Sequence, residues 1–331
     1  MRRLARGVRR HPRTLLGWFD DAGAVEFGGS YLLVKVDGFA ASRALYPWCS
    51  YGDLGFRAVT GAVSDVLAKG CRPYIYAVSL GVTPDRVEAV EEITKGVEEA
   101  VDLYGGYLEN LDTNVGRDTW VDVFVIAECW RRPTPRGARP GDVVVLPRTV
   151  GLSSVAYLEF SAGRVPGMPE VRSFSCRPRA EPAAASVVEE LPGCLSGSID
   201  ISDTLLESLQ QLAEPHGVHL ELDPSYALHP LALSYSYTSG VPKHVLLLAS
   251  NEEYVPVLAC RSSCVEEVVE VLRSRGLGAT VLGTVLEGGG IIWRGVKVEG
   301  ITWDYTSGRI VVKQAYAMGD LVLPNTEADP R

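Results

Sequence analysis

The residues best placed to do chemistry in this 331-residue sequence are aspartates at the ends of apolar runs. They are Asp20-Asp21, Asp37 after YLLVKV, Asp65 in VSDVLAKG, Asp112 in ENLDTN, Asp200 in SIDIS, and Asp203 just beyond it. Taken singly, most have a plain structural use. Asp37-Gly38 suits a turn, Asp112-Thr113-Asn114 an Asx-turn, and Ser202, Asp203 or Thr204 a helix N-cap. Asp65 resists such an account, because it lies inside a helical pattern of Ala, Val and Gly where a lone carboxylate gains little. As a set they point to a hard cation. Magnesium prefers oxygen ligands, keeps several waters, and bridges carboxylates to substrate phosphates. Aspartates brought from separate strand ends would hold such ions against a polyphosphate.

Other chemistries lack their signatures. There is no GxxxxGK phosphate loop ending in Ser or Thr, no GxGxxG dinucleotide fingerprint and no protein-kinase HRD or DFG set. None of the five histidines (His11, His216, His219, His229, His244) stands in a recognisable nucleophile context. The seven cysteines (Cys49, Cys71, Cys129, Cys176, Cys194, Cys260, Cys264) show neither CxxC pairs nor Cys/His zinc spacing. A reduced, cytoplasmic compartment is the default expectation, with hyperthermophile interiors as the known exception. Cys260 and Cys264 either share a helical face or are unrelated.

The bulk composition, 46% hydrophobic and 22% charged without low-complexity tracts, is that of a globular protein. Its length calls for two domains of about 150 residues each. A net charge of −9 argues against nucleic acid, which needs clustered Lys and Arg. One such cluster exists, the N-terminal MRRLARGVRRHPR. It reads either as a solvated basic arm or as arginines that reach phosphates at a nearby site. No apolar core follows it, so it is not a secretory signal. No window approaches 18 uninterrupted apolar residues, so no membrane partner is expected.

The elements that must position the aspartates follow from periodicity. Strands are expected at Tyr31–Val36, Tyr74–Val82, Trp120–Ala127 and Asp142–Leu146. A helix runs from Tyr51 to Lys69, with Val59, Val63, Val66 and Leu67 on one stripe and Asp65 on a small-residue face, and Gly70 ends it. Thr83 and Pro84 open a second helix reaching about Leu103, and Asn110–Thr119 reads as a loop. The domain boundary falls near Thr149, giving domains 1–149 and 150–331. The second half carries helices at about Leu152–Phe160, Ala183–Glu190, Thr204–Ala213 and Val265–Arg275. It carries strands at Ser196–Ile201, His244–Ala249 and Thr280–Leu286, and a hairpin turning at Arg294-Gly295. Strands and helices mix without a strict βαβ rhythm, so the fold class is α+β.

Six segments then fall into one order. They are Asp20-Asp21-Ala-Gly-Ala-Val, LLVKVDGF, GFRAVTGAVSDVLAKGCRP, Asn110-Leu-Asp-Thr113, RGARPGDVVVL, and SIDISDTLLESL, with Cys176-Arg177-Pro178-Arg179 between the last two. In that order they resemble the thiamine-monophosphate kinase family, over about residues 15–305. The family lies within the larger group that holds aminoimidazole-ribonucleotide synthetase, selenophosphate synthetase and the hydrogenase-maturation dehydratase. The resemblance implies a two-domain α+β fold, with mixed sheets and helices on one face. It implies a homodimer formed through the N-terminal domains, ATP between the domains, and direct in-line transfer of the γ-phosphoryl group to a small acceptor without a covalent intermediate. It implies Asp21, Asp37, Asp65, Asp112 and Asp200 as Mg2+ ligands and Asp203 at a further ion or ordered water. Asp112, Arg136 and Ser202 would contact ATP, and Trp303 would stack on the acceptor.

Departures are also present. Asn110-Leu111 stands where the family has Gly-Gly, Lys35-Val36 where it has hydroxyl residues, and Thr204 where it has Gly. The family's Gly-Gly-Glu-Asp-Tyr-Glu segment, placed on Ser239–His244, would have lost its acidic groups, which favours an anionic acceptor over thiamine monophosphate. The alternatives are therefore a kinase or synthetase of the same fold with another acceptor, or a non-catalytic nucleotide-binding protein. Retention of all six Asp positions argues against the latter, since crowded carboxylates repel one another.

Overall fold

The structure is a computed structural model that describes residues 8–221, 223–298, 301–304 and 309–312; of the last two segments only Ile301 has a described side chain. The N-terminal half is a five-stranded sheet under two long helices. Its strands are β1 (Gly23–Phe27), β2 (Ser30–Ala40), β3 (Arg72–Val82), β4 (Tyr107–Val115) and β5 (Trp120–Cys129), in the order β1-β2-β5-β3-β4. All neighbours are antiparallel except β3 and β4, which run parallel around the helix that joins them. The helices are α1 (Ala41–Ala44), α2 (Tyr51–Ala68) and α3 (Ala89–Tyr104).

Alternation decides which face of this sheet is covered. In β5, Val121, Val123, Val125 and Ala127 are buried in one core with Val59, Ala62 and Val66 of α2. In β2 the exposed Val34 and Val36 alternate with Leu33, Lys35 and Asp37, so the last two point toward α2. Ser50 caps α2 in a reciprocal box with Asp53, and Gly70, at φ +72°, closes the helix. Sixteen of its residues are buried, because α3 packs against it at very short range. A Cβ on Gly96 of α3 would stand 1.8 Å from the Gly52 carbonyl oxygen, and one on Gly55 2.2 Å from that of Ile93.

The C-terminal half is a seven-stranded sheet, β12-β11-β8-β10-β6-β9-β7. Its strands are β6 (Val143–Leu146), β7 (Leu195–Asp200), β8 (Gly217–Leu220), β9 (Pro256–Cys260), β10 (Thr280–Leu286), β11 (Gly290–Trp293) and β12 (Val296–Val298). Seven helices accompany it among the described residues: α4 (Leu152–Ser161), α5 (Pro169–Cys176), α6 (Pro182–Glu190), α7 (Leu205–Ala213), α8 (Pro230–Ser239), α9 (Lys243–Leu248) and α10 (Val265–Ser274). A separate pair, β13 (Ile301–Asp304) and β14 (Arg309–Val312), ends the described chain. Among the described residues no helix is long and apolar enough to cross a membrane.

Three expectations are corrected. Asn110–Thr119 is strand as far as Val115, not loop: an exposed edge strand tolerates Asn and Asp because its side chains stay in water. His244–Ala249 is helix α9 rather than strand; Pro242 caps its start, and a short apolar run such as VLLLA carries no period that separates the two states. The cysteines are not all reduced. Cys49–Cys176, Cys71–Cys129 and Cys194–Cys264 are bonded across 127, 58 and 70 residues, separations that no local spacing reveals. Cys260, buried in β9, stays free, so it does not pair with Cys264.

Candidate active site

The two halves meet at a knot of carboxylates. Oxygens of Asp21, Asp65 and Asp200 all lie within 4.8 Å of one another, and all three side chains are buried. Each comes from a different element: Asp21 from the loop before β1, Asp65 from the small-residue face of α2, and Asp200 from the end of β7. Ser64, one residue before Asp65, donates a hydrogen bond of 2.7 Å to Asp200 Oδ2 and so ties α2 to the C-terminal domain.

Among the described residues, three side-chain cations face this knot. Lys35 of β2 places Nζ 2.6 Å from Asp65 Oδ2 and 3.9 Å from Asp37 Oδ2. Lys69, fully buried at the C-cap of α2, lies 2.6 Å from both Asp20 and Asp21 and donates to the Ser198 carbonyl at 2.8 Å. Arg136 donates through Nε to Asp21 Oδ1 at 2.7 Å and also holds Asp20 and the Phe19 carbonyl. Among the described residues, five carboxylates (Asp20, Asp21, Asp37, Asp65, Asp200) thus face three cations, a surplus of two negative charges when all are ionised.

The protonation equilibria follow from this arrangement. Burial, then the charge on Asp21, pushes Asp200 up to about 6, against the Ser64 hydrogen bond and Lys35. Burial also pushes Asp65 up, while the Lys35 ammonium opposes it. For Lys35 itself burial disfavours the charge, but Asp65 and then Asp37 outweigh it and raise the group above its ordinary value. Asp21 is held below the usual carboxylate range because Lys69 and Arg136 outweigh its burial.

A rim surrounds the knot. Glu252, in the loop before β9, reaches Arg57 of α2 at 2.6 Å, and Asp37 and Asp203 both act on its charge. Glu252 and Tyr254 hold left-handed backbone, at φ 47° and 52°. Glu253 between them turns the other way, accepting from Gly151 N and Ser153 Oγ, both at 2.7 Å, at the start of α4.

Measured against the residues expected from the sequence, Asp21, Asp65 and Asp200 converge, with Asp37 and Arg136 beside them. Ser202 is exposed, with its carbonyl accepting from Glu252 N, and Asp203 is half-buried at the rim. Asp112 does not converge. It lies in register with Ser79 and, through β3, with Asp122, in a row on the uncovered face of the N-terminal sheet, where Ser79 and Asn114 donate to it. The side chain of Trp303 lies outside the described residues. The acidic segment needs reassignment. Asn251-Glu252-Glu253-Tyr254 matches acidic, acidic, Tyr, and sits at the site. Lys243 instead donates to Ser225 and packs on Tyr237, and His244 packs on Trp293. Ser239–His244 is therefore not the place of the acidic segment, and the expectation of an anionic acceptor loses its premise. The signals missed were the lysines Lys35 and Lys69, because a cation inside an acidic cluster has no motif.

With this geometry in hand, comparison with known proteins places the chain. Residues 19–129 match the N-terminal domain and residues 139–294 the C-terminal domain of the AIR synthase related proteins. The thiamine-monophosphate kinase of Pyrobaculum calidifontis is 30% identical over 278 residues, 84% of this chain and 88% of its own. A crystal structure from Thermus thermophilus superposes with a TM-score of 0.82 at 31% identity, covering 90% of this chain and 96% of that one. AaThiL complexed with AMPPCP and TMP superposes with a TM-score of 0.75 over 86% of this chain and 91% of its own; at 24% identity the likeness is one of fold. Two matched domains and a relative of this identity over most of both chains put the protein in the thiamine-monophosphate kinase family, within the AIR-synthase-related superfamily.

Proposed function

We propose that this chain is an ATP- and magnesium-dependent thiamine-monophosphate kinase that works in the cytoplasm as a homodimer. A terminal phosphate oxygen of thiamine monophosphate attacks the γ-phosphorus of ATP, the bond from that phosphorus to the β,γ-bridging oxygen breaks, and thiamine diphosphate and ADP leave. No covalent enzyme intermediate is needed, so positioning and charge neutralisation supply the catalysis. The observation that carries this reading is the meeting of Asp65 from one domain and Asp200 from the other, in a chain whose relatives carry that activity.

The donor set fits magnesium. It is all oxygen, with a surplus of two negative charges among the described residues; Asp65 and Asp200, with Asp21 inside the same 4.8 Å, are the residues that would hold the ion, with Asp37 and Asp203 at the rim. When bound, the ion draws charge from the phosphate oxygens during transfer. Lys69 and Arg136 fix the Asp20-Asp21 loop, and Arg57 fixes Glu252 beside the junction. The uncovered apolar face of the N-terminal sheet, with Val36, Phe124 and Tyr107 exposed, supports pairing with a second copy. The decisive assay mixes purified protein with ATP, Mg2+ and thiamine monophosphate. Formation of ADP and thiamine diphosphate is expected; ATP turnover that thiamine monophosphate does not stimulate would overturn the acceptor assignment.

A further inference from the structure

Lys35 is the residue of this site that a metal-binding carboxylate cluster has least use for. An ammonium 2.6 Å from Asp65 Oδ2 takes up a ligand oxygen that a divalent ion would otherwise use. Nor is this a surface ion pair of the ordinary kind: the Lys35 side chain is only 18% exposed and that of Asp65 6%. A lysine taken this far out of water is favourable only when several anions surround it. Lys35 has Asp65 and Asp37 in reach, with Asp200 adding to the field.

Its position is fixed by the backbone. Lys35 lies within the long β2 ladder, paired with Val125 of β5, two residues before Asp37 and on the same face of the strand. The side chain therefore projects under α2 whether or not a ligand is present. Lys69 and Arg136 already neutralise Asp21 on the other side of the knot. Asp65 has Lys35 as its counter-ion, while Asp200 takes a hydroxyl.

We propose that Lys35 is a tethered cation standing in for one of the divalent ions that Asp37 and Asp65 would otherwise share, so that the enzyme loads its nucleotide with one ion fewer. This inference rests on the kinase reading above. It makes Lys35 a positioning residue: its ammonium holds the two carboxylates together and leaves the remaining ion to the nucleotide, Asp200 and the other oxygen of Asp65. A neutral side chain at position 35 uncovers a second ion site.

The test counts ions rather than turnover. Wild type, Lys35→Thr and Lys35→Arg are saturated with AMPPCP and titrated with Mn2+, and bound Mn2+ is counted by electron paramagnetic resonance. Lys35→Thr is expected to hold about one more Mn2+ per chain than wild type, and Lys35→Arg the same number as wild type. AMPPCP binding with equal counts in wild type and Lys35→Thr overturns the inference alone; absence of AMPPCP binding in wild type overturns the kinase reading and the inference with it. Should Lys35→Thr fail to fold, the melting of nucleotide-free wild type decides. It is expected to be indifferent to Mn2+, and a Mn2+-dependent rise in Tm that Asp65→Asn abolishes overturns the proposal.

Discussion

At the residue scale the site is a balance between desolvation and charge, and two aspartates expose it. Asp65→Asn keeps the shape but removes the anion, so Mg2+-nucleotide affinity or turnover should fall at least tenfold, about 1.4 kcal/mol, with the fold intact. Calorimetry with MgATP and the kinase assay check this together; unchanged values in both would remove Asp65 from the site. Asp200 gives a pH signature. Its folded pKa of about 6 exceeds its unfolded value of 3.8, so the folded state holds the proton more tightly. The group's contribution to stability is fully present below about pH 4 and is lost as pH rises through 6. Asp200→Asn should therefore gain stability relative to wild type between pH 4 and pH 7 in EDTA, by about 3 kcal/mol at most. Melting curves at the two pH values measure it, and parallel curves for the two proteins would refute it.

At the element scale, α2 can carry Asp65 to the junction only because α3 lets it lie so close. Gly96→Ala sets two effects against each other. Helix propensity favours Ala by about 1 kcal/mol, whereas the new methyl would meet the Gly52 carbonyl at 1.8 Å and force the helices apart. Overpacking of that kind costs about 1–3 kcal/mol or more, so the contact wins and the variant should melt lower than wild type. A higher melting temperature would mean the helices separate at no cost. Ser64 on the same helix turns such a displacement into a change at the site, since its hydroxyl spans the domains to Asp200.

At the scale of the whole molecule, the two domains are held together by the carboxylate knot and by one disulfide. Cys49, just before α2, is joined to Cys176 at the end of α5, and Arg177 beside it pairs with Asp53 and Glu99. A bond closing 127 residues removes much entropy from the unfolded chain. Cys176→Ser should cost about 3–5 kcal/mol, while Cys260→Ser should cost far less because that thiol is unbonded. Thermal melts with and without dithiothreitol check both, and an unshifted Cys176→Ser would show that the bond contributes nothing. The exposed sheet face carries a separate expectation: sedimentation at micromolar concentration should show a dimer, and Val36→Glu, 64% exposed in one chain, should yield monomers. A wild-type monomer would refute the pairing.

The sequence alone determined the α+β class and the helix that bears Asp65. These are properties of local order: alternation in β2 and β5, a small-residue stripe in α2, motifs in a fixed succession. Only the tertiary structure decided which aspartates share a site. Asp112 also lies in one of the ordered motifs, yet strand register puts it on the opposite face of the sheet. The same holds for the acidic segment. Glu252 and His244 are eight residues apart in the chain, but one turns toward Arg57 and the other packs on Trp293. Lys35, the disulfide partners and the pKa of Asp200 were beyond reach for one physical reason. Each depends on what the rest of the chain brings within a few ångströms, and spacing along the sequence carries no record of that.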